Sequence, residues 1–265
     1  MVRDETESIR IITFCFSGGS KSNHWILNSQ AFFKKNIDLV NLNIFCQSKG
    51  VIISYNSHHQ ELKIIMLLPV HPKNPQEKYI NTIVKCLSEG GIIIYPTDTV
   101  YGFGCDIFHP KAVERICRIK KIDPSKANLS FICHDLSDLS RYAKSVPTST
   151  FRLLKSHIPG PFTFILPASK EVPKIIRSRK DTIGLRVPDN VIAQEIIKTL
   201  GHPILSSSLP GDMVEEYTDP ETIYEIFGKQ VDIVVDGGTG GMEYSTIIDL
   251  TSDEPIVTRQ GMGEL

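Results

Sequence analysis

The sequence predicts an α/β fold: a partly parallel, mixed sheet with flanking helices. Three observations carry that expectation. Some segments place apolar residues at helical spacing, others are short apolar runs bounded by Gly or Pro, and the two alternate regularly from residue 75 onward. The 265 residues are 41% hydrophobic and 22% charged, an ordinary globular composition with room for one large domain or two small ones.

PQEKYINTIVKCLSEGG (75–91) sets Ile80, Ile83, Val84 and Leu87 on one helical face, and Gly90 with Gly91 closes it. GIIIYP (91–96) reads as a buried strand. HPKAVERICRIKK carries Pro110 where a first helical turn tolerates it, with Val113, Ile116 and Cys117 on one face. LSFIC (129–133), FTFILPA (162–168), TIGLRVP (182–188) and PILSSSL (203–209) read as strands. DNVIAQEIIKTLG reads as a helix capped by Asp189 and stopped by Gly201. DPETIYEIFG opens with Asp219 as cap and Pro220 at the first helical position. VDIVVDGG, STIIDLT and PIVTR supply three last strands.

The first 65 residues have a different texture, rich in Asn, Ser, Ile and Lys, with weaker helix punctuation and the only tryptophan, Trp25. Stretches such as IRIITFCF and GVIISYN could form strands, or the segment could be a poorly ordered extension. The expected organisation is therefore an N-terminal extension over 1–65 and a single domain over 66–265, with Met66 an alternative start.

A net charge of -1 gives no global argument for nucleic-acid or membrane binding, although a local basic surface is compatible with it. Six cysteines (Cys15, Cys46, Cys86, Cys105, Cys117 and Cys133) include no CxxC pair, and the last two with Cys86 sit among apolar residues, as reduced buried thiols do. His58 and His59 are adjacent, and adjacent side chains seldom converge on one metal. No run approaches the ~20 apolar residues of a membrane helix. The acidic start has the wrong polarity for a secretory signal, so a cytoplasmic location is expected.

Chemistry concentrates at the ends of expected strands. The loop after GIIIYP is dense in hydroxyls and glycines. Thr97, Thr99 and Tyr101 can donate to anionic oxygens, while Gly102 and Gly104 admit close approach of a ligand. A tight turn with capping threonines explains the same residues. Further on, Lys120, Lys121 and Lys126 either complement a helix dipole or wrap a polyphosphate. Thr163, Arg186 and the serines 206–208 stand at other strand ends, where hydroxyls and cations together suit an anion. Ser17, Gly18, Gly19, Ser20, Lys21 and Ser22 lack the glycine spacing and GK[ST] order of a Walker A loop and read as a turn.

GGIIIYPTDTVYGFGCD resembles the signature strand and loop of the threonylcarbamoyl-AMP synthase superfamily, the YrdC/YciO-like proteins. PGPFTFIL, TIGLRVPDN, STIIDLT and IVTRQG resemble further blocks in the same order, so the resemblance covers about residues 70–262. It implies a twisted YrdC-like α/β domain with a concave basic cavity. The implied activity joins L-threonine, bicarbonate and ATP into threonylcarbamoyl-AMP for tRNA modification, with magnesium accompanying the nucleotide.

Carried over by position, the resemblance makes Lys120 and Thr99 the catalytic candidates. It assigns substrate binding to Thr97, Thr99, Tyr101, Arg186, Ser206 and Ser208, and nucleotide binding to Lys120, Lys126, Thr163, Ser245 and Arg259. Two positions depart from the family's synthases. Lys120, Lys121 and Ile122 replace a Lys-x-Arg motif, and Pro210 stands where a Ser-x-Asn motif has its asparagine. A guanidinium clamp and an amide are thereby lost. Both changes are typical of the YciO-like branch, which HPKNPQEKYI and ICHDLSDLSRYA also resemble. Two alternatives stay open: a YciO-like paralogue with a different reaction on a threonylcarbamoyl or nucleotide substrate, and a non-enzymatic module binding tRNA or double-stranded RNA. That module would use Arg115, Arg118, Lys120, Lys121, Lys126, Arg177, Arg179 and Lys180 against phosphates.

Overall fold

The computed structural model describes residues 41–46, 51–56, 61–123, 129–173, 181–210, 214–252 and 254–265, with side chains from residue 66 onward. Expectations about IRIITFCF, residues 17–22, the two adjacent histidines, Lys126, Arg177, Arg179 and Lys180 lie outside these. Residues Leu42–Leu265 form one compact unit.

Among the described residues, twelve strands make one mixed sheet. In chain order they are β1 (Asn41–Cys46), β2 (Val51–Asn56), β3 (Glu61–Pro69), β4 (Ile92–Tyr95), β5 (Gly102–Asp106), β6 (Ser130–Ile132), β7 (Phe162–Pro167), β8 (Thr182–Arg186), β9 (Ile204–Ser208), β10 (Ile233–Asp236), β11 (Thr246–Asp249) and β12 (Ile256–Arg259). Across the sheet they run β1-β2-β3-β10-β4-β5-β9-β6-β8-β7-β11-β12. β10 is parallel to both β3 and β4, β6 to β8, and β7 to β11. The pairs β2–β3, β4–β5, β5–β9, β6–β9, β7–β8 and β11–β12 are antiparallel. The expected boundary between residues 65 and 66 falls inside β3.

The helices are α1 (Glu77–Ser88), α2 (Pro110–Ile119), α3 (Leu136–Tyr142), α4 (Thr148–His157), α5 (Val191–Leu200) and α6 (Pro220–Phe227). None among the described residues is long and apolar enough to cross a membrane. Two apolar clusters show how the layers close. Ile93 and Tyr95 pack with Ile80, Ile83 and Leu87 of α1 and Ile192 and Ile196 of α5. Ile92 and Ile94 pack with Val113 and Ile116 of α2 and with Ile223 and Phe227 of α6. β4 is thus apolar on both faces because both are covered, which is why GIIIYP is an unbroken apolar run.

The structure corrects two expectations. Residues 102–106, read from sequence as part of a loop, are strand β5, held between β4 and β9 on antiparallel ladders. Helix α5 is capped by Asn190, not Asp189: the Asn190 side chain accepts from the Ala193 N–H at 3.0 Å. Replacing Asn190 by Ala should therefore destabilise the protein by about 0.5–2 kcal/mol. Asp189→Ala should change stability far less, and chemical denaturation of the two variants separates the assignments. At α6 the expected cap is found, with Asp219 accepting from the Thr222 N–H at 2.8 Å.

Candidate active site

The sheet register explains where polar groups gather. Gly104 on β5 is level with Ser206 on β9, Ser206 with Ser130 on β6, and Ser130 with Gly184 on β8. Side chains alternate along a strand, so this row of very small residues shares one face with Arg186, two residues beyond Gly184. The surface is low along that row, and larger polar side chains reach across it.

Arg186 reaches furthest. Its Nη2 donates to Asp98 Oδ1 at 2.5 Å and to Thr99 Oγ1 at 2.8 Å, joining the end of β8 to the loop after β4. Arg186 is 7% exposed. Thr97 Oγ1 donates to the Val100 carbonyl at 2.8 Å and lies 3.0 Å from Thr99 Oγ1. With the Thr97 proton committed to that carbonyl, the Thr99 hydroxyl donates to Thr97. Thr97 Oγ1 also accepts from the Thr99 N–H at 3.1 Å, so the Thr97 hydroxyl is fully engaged within the loop, and what the pair offers a ligand is the remaining lone pair of Thr99 Oγ1.

Two atoms of the cluster are left over. Asp98 Oδ2 and Arg186 Nε are buried and have no hydrogen-bond partner. One is an acceptor and the other a donor, and an unpaired buried polar group costs about 1–3 kcal/mol. A site that holds both is suited to a ligand carrying a donor and an anionic oxygen close together.

Beside this cluster, Tyr95 donates to Ser206 Oγ at 2.9 Å. Thr163 and Ser245 share a hydrogen bond of 2.9 Å between β7 and the start of β11, and both are buried. Arg259 donates to the Ser245 carbonyl and to its Oγ, and its guanidinium lies 5.0 Å from the centre of the Tyr244 ring. Burial and the positive charge of Arg186 both push the Arg259 pKa down, with burial the larger cause.

Lys120, directly after α2, donates to Ser207 Oγ at 2.6 Å and to the Ser208 carbonyl. Burial lowers its pKa to about 8. No carboxylate pairs with it among the described residues. The Tyr101 ring is buried, and its hydroxyl donates to the Gly238 carbonyl at 2.7 Å while accepting from the Gly237 N–H. Tyr101 thus ties the loop after β4 to the loop after β10.

The structure therefore brings Thr97, Thr99, Arg186 and Ser206 into one neighbourhood and joins Thr163, Ser245 and Arg259 into a second group. It holds Lys120 on the serine run of β9, and turns Tyr101 onto backbone. Of the cations considered for RNA, Arg115 is committed to Asp232 at 2.7 Å and to the Gln230 carbonyl. Sequence reading passed over Asp98 and Tyr95. The available signal for Asp98 was a lone carboxylate inside a hydroxyl-rich loop that a buried guanidinium elsewhere would need. A separate cavity of about 550 Å³, bordered by His134, Lys155, Pro159, Val187 and Gln194, includes none of these site residues.

Fold and site together define a mixed-sheet α/β protein with a buried guanidinium–hydroxyl cluster on the sheet face. The chain belongs to the Sua5–YciO–YrdC family, described as telomere recombination, whose model matches residues 85–261. Escherichia coli YciO, an uncharacterized protein, is 46% identical over 199 residues, covering 74% of this chain and 95% of that one. Its crystal structure superposes with a TM-score of 0.71 over 76% of this chain and 97% of YciO. The threonylcarbamoyl-AMP synthase of Coxiella burnetii is 33% identical over 161 residues, 61% of this chain and 86% of that enzyme. Pyrococcus abyssi Sua5, solved in complex with L-threonine, matches with a TM-score of 0.67 and 30% identity over 74% of this chain and 57% of Sua5.

Proposed function

We propose that the protein makes threonylcarbamoyl-AMP from L-threonine, bicarbonate and ATP, releasing pyrophosphate, as a supply for tRNA modification. The observation that carries this reading is the unpartnered pair Asp98 Oδ2 and Arg186 Nε beside the remaining lone pair of Thr99 Oγ1. Threonine presents an amine and a carboxylate at matching polarity. Its support from relatives is the family's threonylcarbamoyl-AMP synthases and the Sua5 complex with L-threonine.

In this reaction the threonine amine attacks the carbon of bicarbonate, and the bicarbonate hydroxyl leaves as water with a proton from the nitrogen, forming a carbamate. A carbamate oxygen then attacks the α-phosphorus of ATP, and the bond to the β-phosphate oxygen breaks to release pyrophosphate. Asp98 and the Thr99 hydroxyl oxygen orient the amine, while Arg186 holds an anionic oxygen. Lys120 and Arg259 offset charge on the departing phosphates. Magnesium would travel on the nucleotide. Among the described residues no group of three His, Cys, Asp or Glu could hold a metal ion, and Asp98 is already paired with Arg186.

The test is to incubate the protein with ATP, L-threonine, bicarbonate and magnesium and follow product and pyrophosphate by mass spectrometry. Product that needs all three substrates, and falls at least tenfold in Lys120→Ala, is the expected outcome. Because Lys120 loses its proton near pH 8, nucleotide affinity should weaken as pH rises through about 8. Stability should move the other way. The unfolded lysine keeps its proton up to its ordinary value of 10.5, so this group favours the folded state increasingly between about pH 8 and 10.5.

A second reading keeps the site and changes the reaction. Lys121 and Ile122 in place of the synthase arginine motif, Pro210 in place of its asparagine, and the 46% identity to YciO favour it. ATP bound without any threonine-dependent product would establish that reading over the first.

A further inference from the structure

We infer that Tyr95 is a positioning residue for substrate: by donating its phenol proton to Ser206, it leaves the Ser206 hydroxyl free to donate to an anionic oxygen of threonine. The inference rests on the proposed function and identifies what orients one of its substrate contacts. Tyr95 lies on β4 and Ser206 on β9, with β5 between them. The tyrosine ring must therefore cross a strand to make its 2.9 Å bond.

Gly104 makes the crossing possible. It sits beside Ser206 in the β5–β9 register, and a Cβ built on it would stand 3.0 Å from Tyr95 Cε1 and 3.1 Å from Ile93 Cγ1. The ring occupies the space that any other residue at 104 would fill. This also supplies a reason for glycine inside a strand, where it weakens pairing and marks close approach.

The bond runs from the phenol to the serine, and burial keeps the phenol proton in place. Tyr95 is 0% exposed, and desolvation pushes its pKa up to about 12 against the partial opposing effects of Ser206 and Arg186. The phenol is protonated throughout the neutral range. Ser206 accepts that proton, and no bond in which Ser206 itself donates is found among the described residues. Ser206 is 8% exposed, so its side chain is largely desolvated. A serine with one lone pair occupied and its proton uncommitted is oriented to donate. Without Tyr95 the hydroxyl would rotate among alternatives before each binding event.

The experiment compares L-threonine binding by calorimetry, and KM with kcat, for wild type, Tyr95→Phe, Ser206→Ala and the double variant. Tyr95→Phe should weaken threonine binding about three- to tenfold, the worth of one oriented hydrogen bond. Ser206→Ala should cost at least as much, and the double variant no more than Ser206→Ala alone, because the tyrosine acts only through the serine. Gly104→Ala, which crowds the ring without removing the phenol, should reproduce the Tyr95→Phe loss. A Tyr95→Phe or Gly104→Ala protein that binds threonine like wild type overturns the inference, as do additive losses in the double variant. Wild type that binds neither threonine nor ATP overturns the proposed function and this inference with it.

Discussion

Replacing Arg186 by Met should destabilise the fold by about 3–5 kcal/mol and abolish threonine binding. The guanidinium is one half of an ion pair whose two side chains are 9% and 11% exposed. Removing one partner leaves Asp98 charged and desolvated. Asp98→Asn removes the charge but keeps the shape, so it should cost less than Arg186→Met. The combined Arg186→Met, Asp98→Leu variant should recover much of the lost stability, because a buried ion pair is often no better than a packed apolar pair of similar volume. It should recover none of the binding. Chemical denaturation and threonine calorimetry read the two effects separately. Stability restored together with binding would mean that the pair has no part in the site.

The reason to expect such a split is that the pair is poorly arranged for stability alone. Asp98 Oδ2 and Arg186 Nε remain unpartnered in a place where water has little access. A purely structural ion pair would satisfy them. That this one does not is the observation on which the proposed threonine contact rests, through two atoms at defined places.

Much of the architecture was legible along the chain because its signals are local. The apolar run 92–94 in β4, Pro220 behind its cap Asp219, and the stop at Gly201 each work within a few residues. What was not legible depends on distant partners. Strand β5 carries Gly102 and Gly104, which lower strand propensity, and it becomes a strand by pairing with β4 and β9. The cap of α5 could be either of two adjacent capping residues, and only the fold selects Asn190 over Asp189. β10 is inserted between β3 and β4, an order that no local pattern encodes.

The site divides in the same way. Thr97, Thr99, Ser206 and Arg186 stood out as hydroxyls and a cation at strand ends, and Lys120 as a cation at a helix end. Their wiring did not, because Arg186 meets Asp98 across 88 residues and Tyr95 meets Ser206 across 111. Nor could the sequence show that the Thr97 hydroxyl is spent within its own loop. That follows only once the Val100 carbonyl is seen to take the Thr97 proton.

Gly241→Ala should be the most damaging single methyl addition near the site. A Cβ on Gly241 would overlap the backbone carbonyl of Thr99, and backbone cannot rotate aside as a side chain can. The neighbouring Gly240 already lies against the Tyr101 ring. Relief therefore requires the loop 97–101 to move away from the loop after β10. We expect a loss of about 1–3 kcal/mol from overpacking. Since Thr99 accepts from Arg186, the same displacement should weaken threonine binding by at least tenfold. Met242→Ala is the matched control: Met242 is 64% exposed, and its truncation should shift stability by no more than about 0.5 kcal/mol. If Gly241→Ala loses stability but binds threonine normally, the loop contact serves folding alone, and the placement of Thr99 is set by Arg186 without help from the glycine loop.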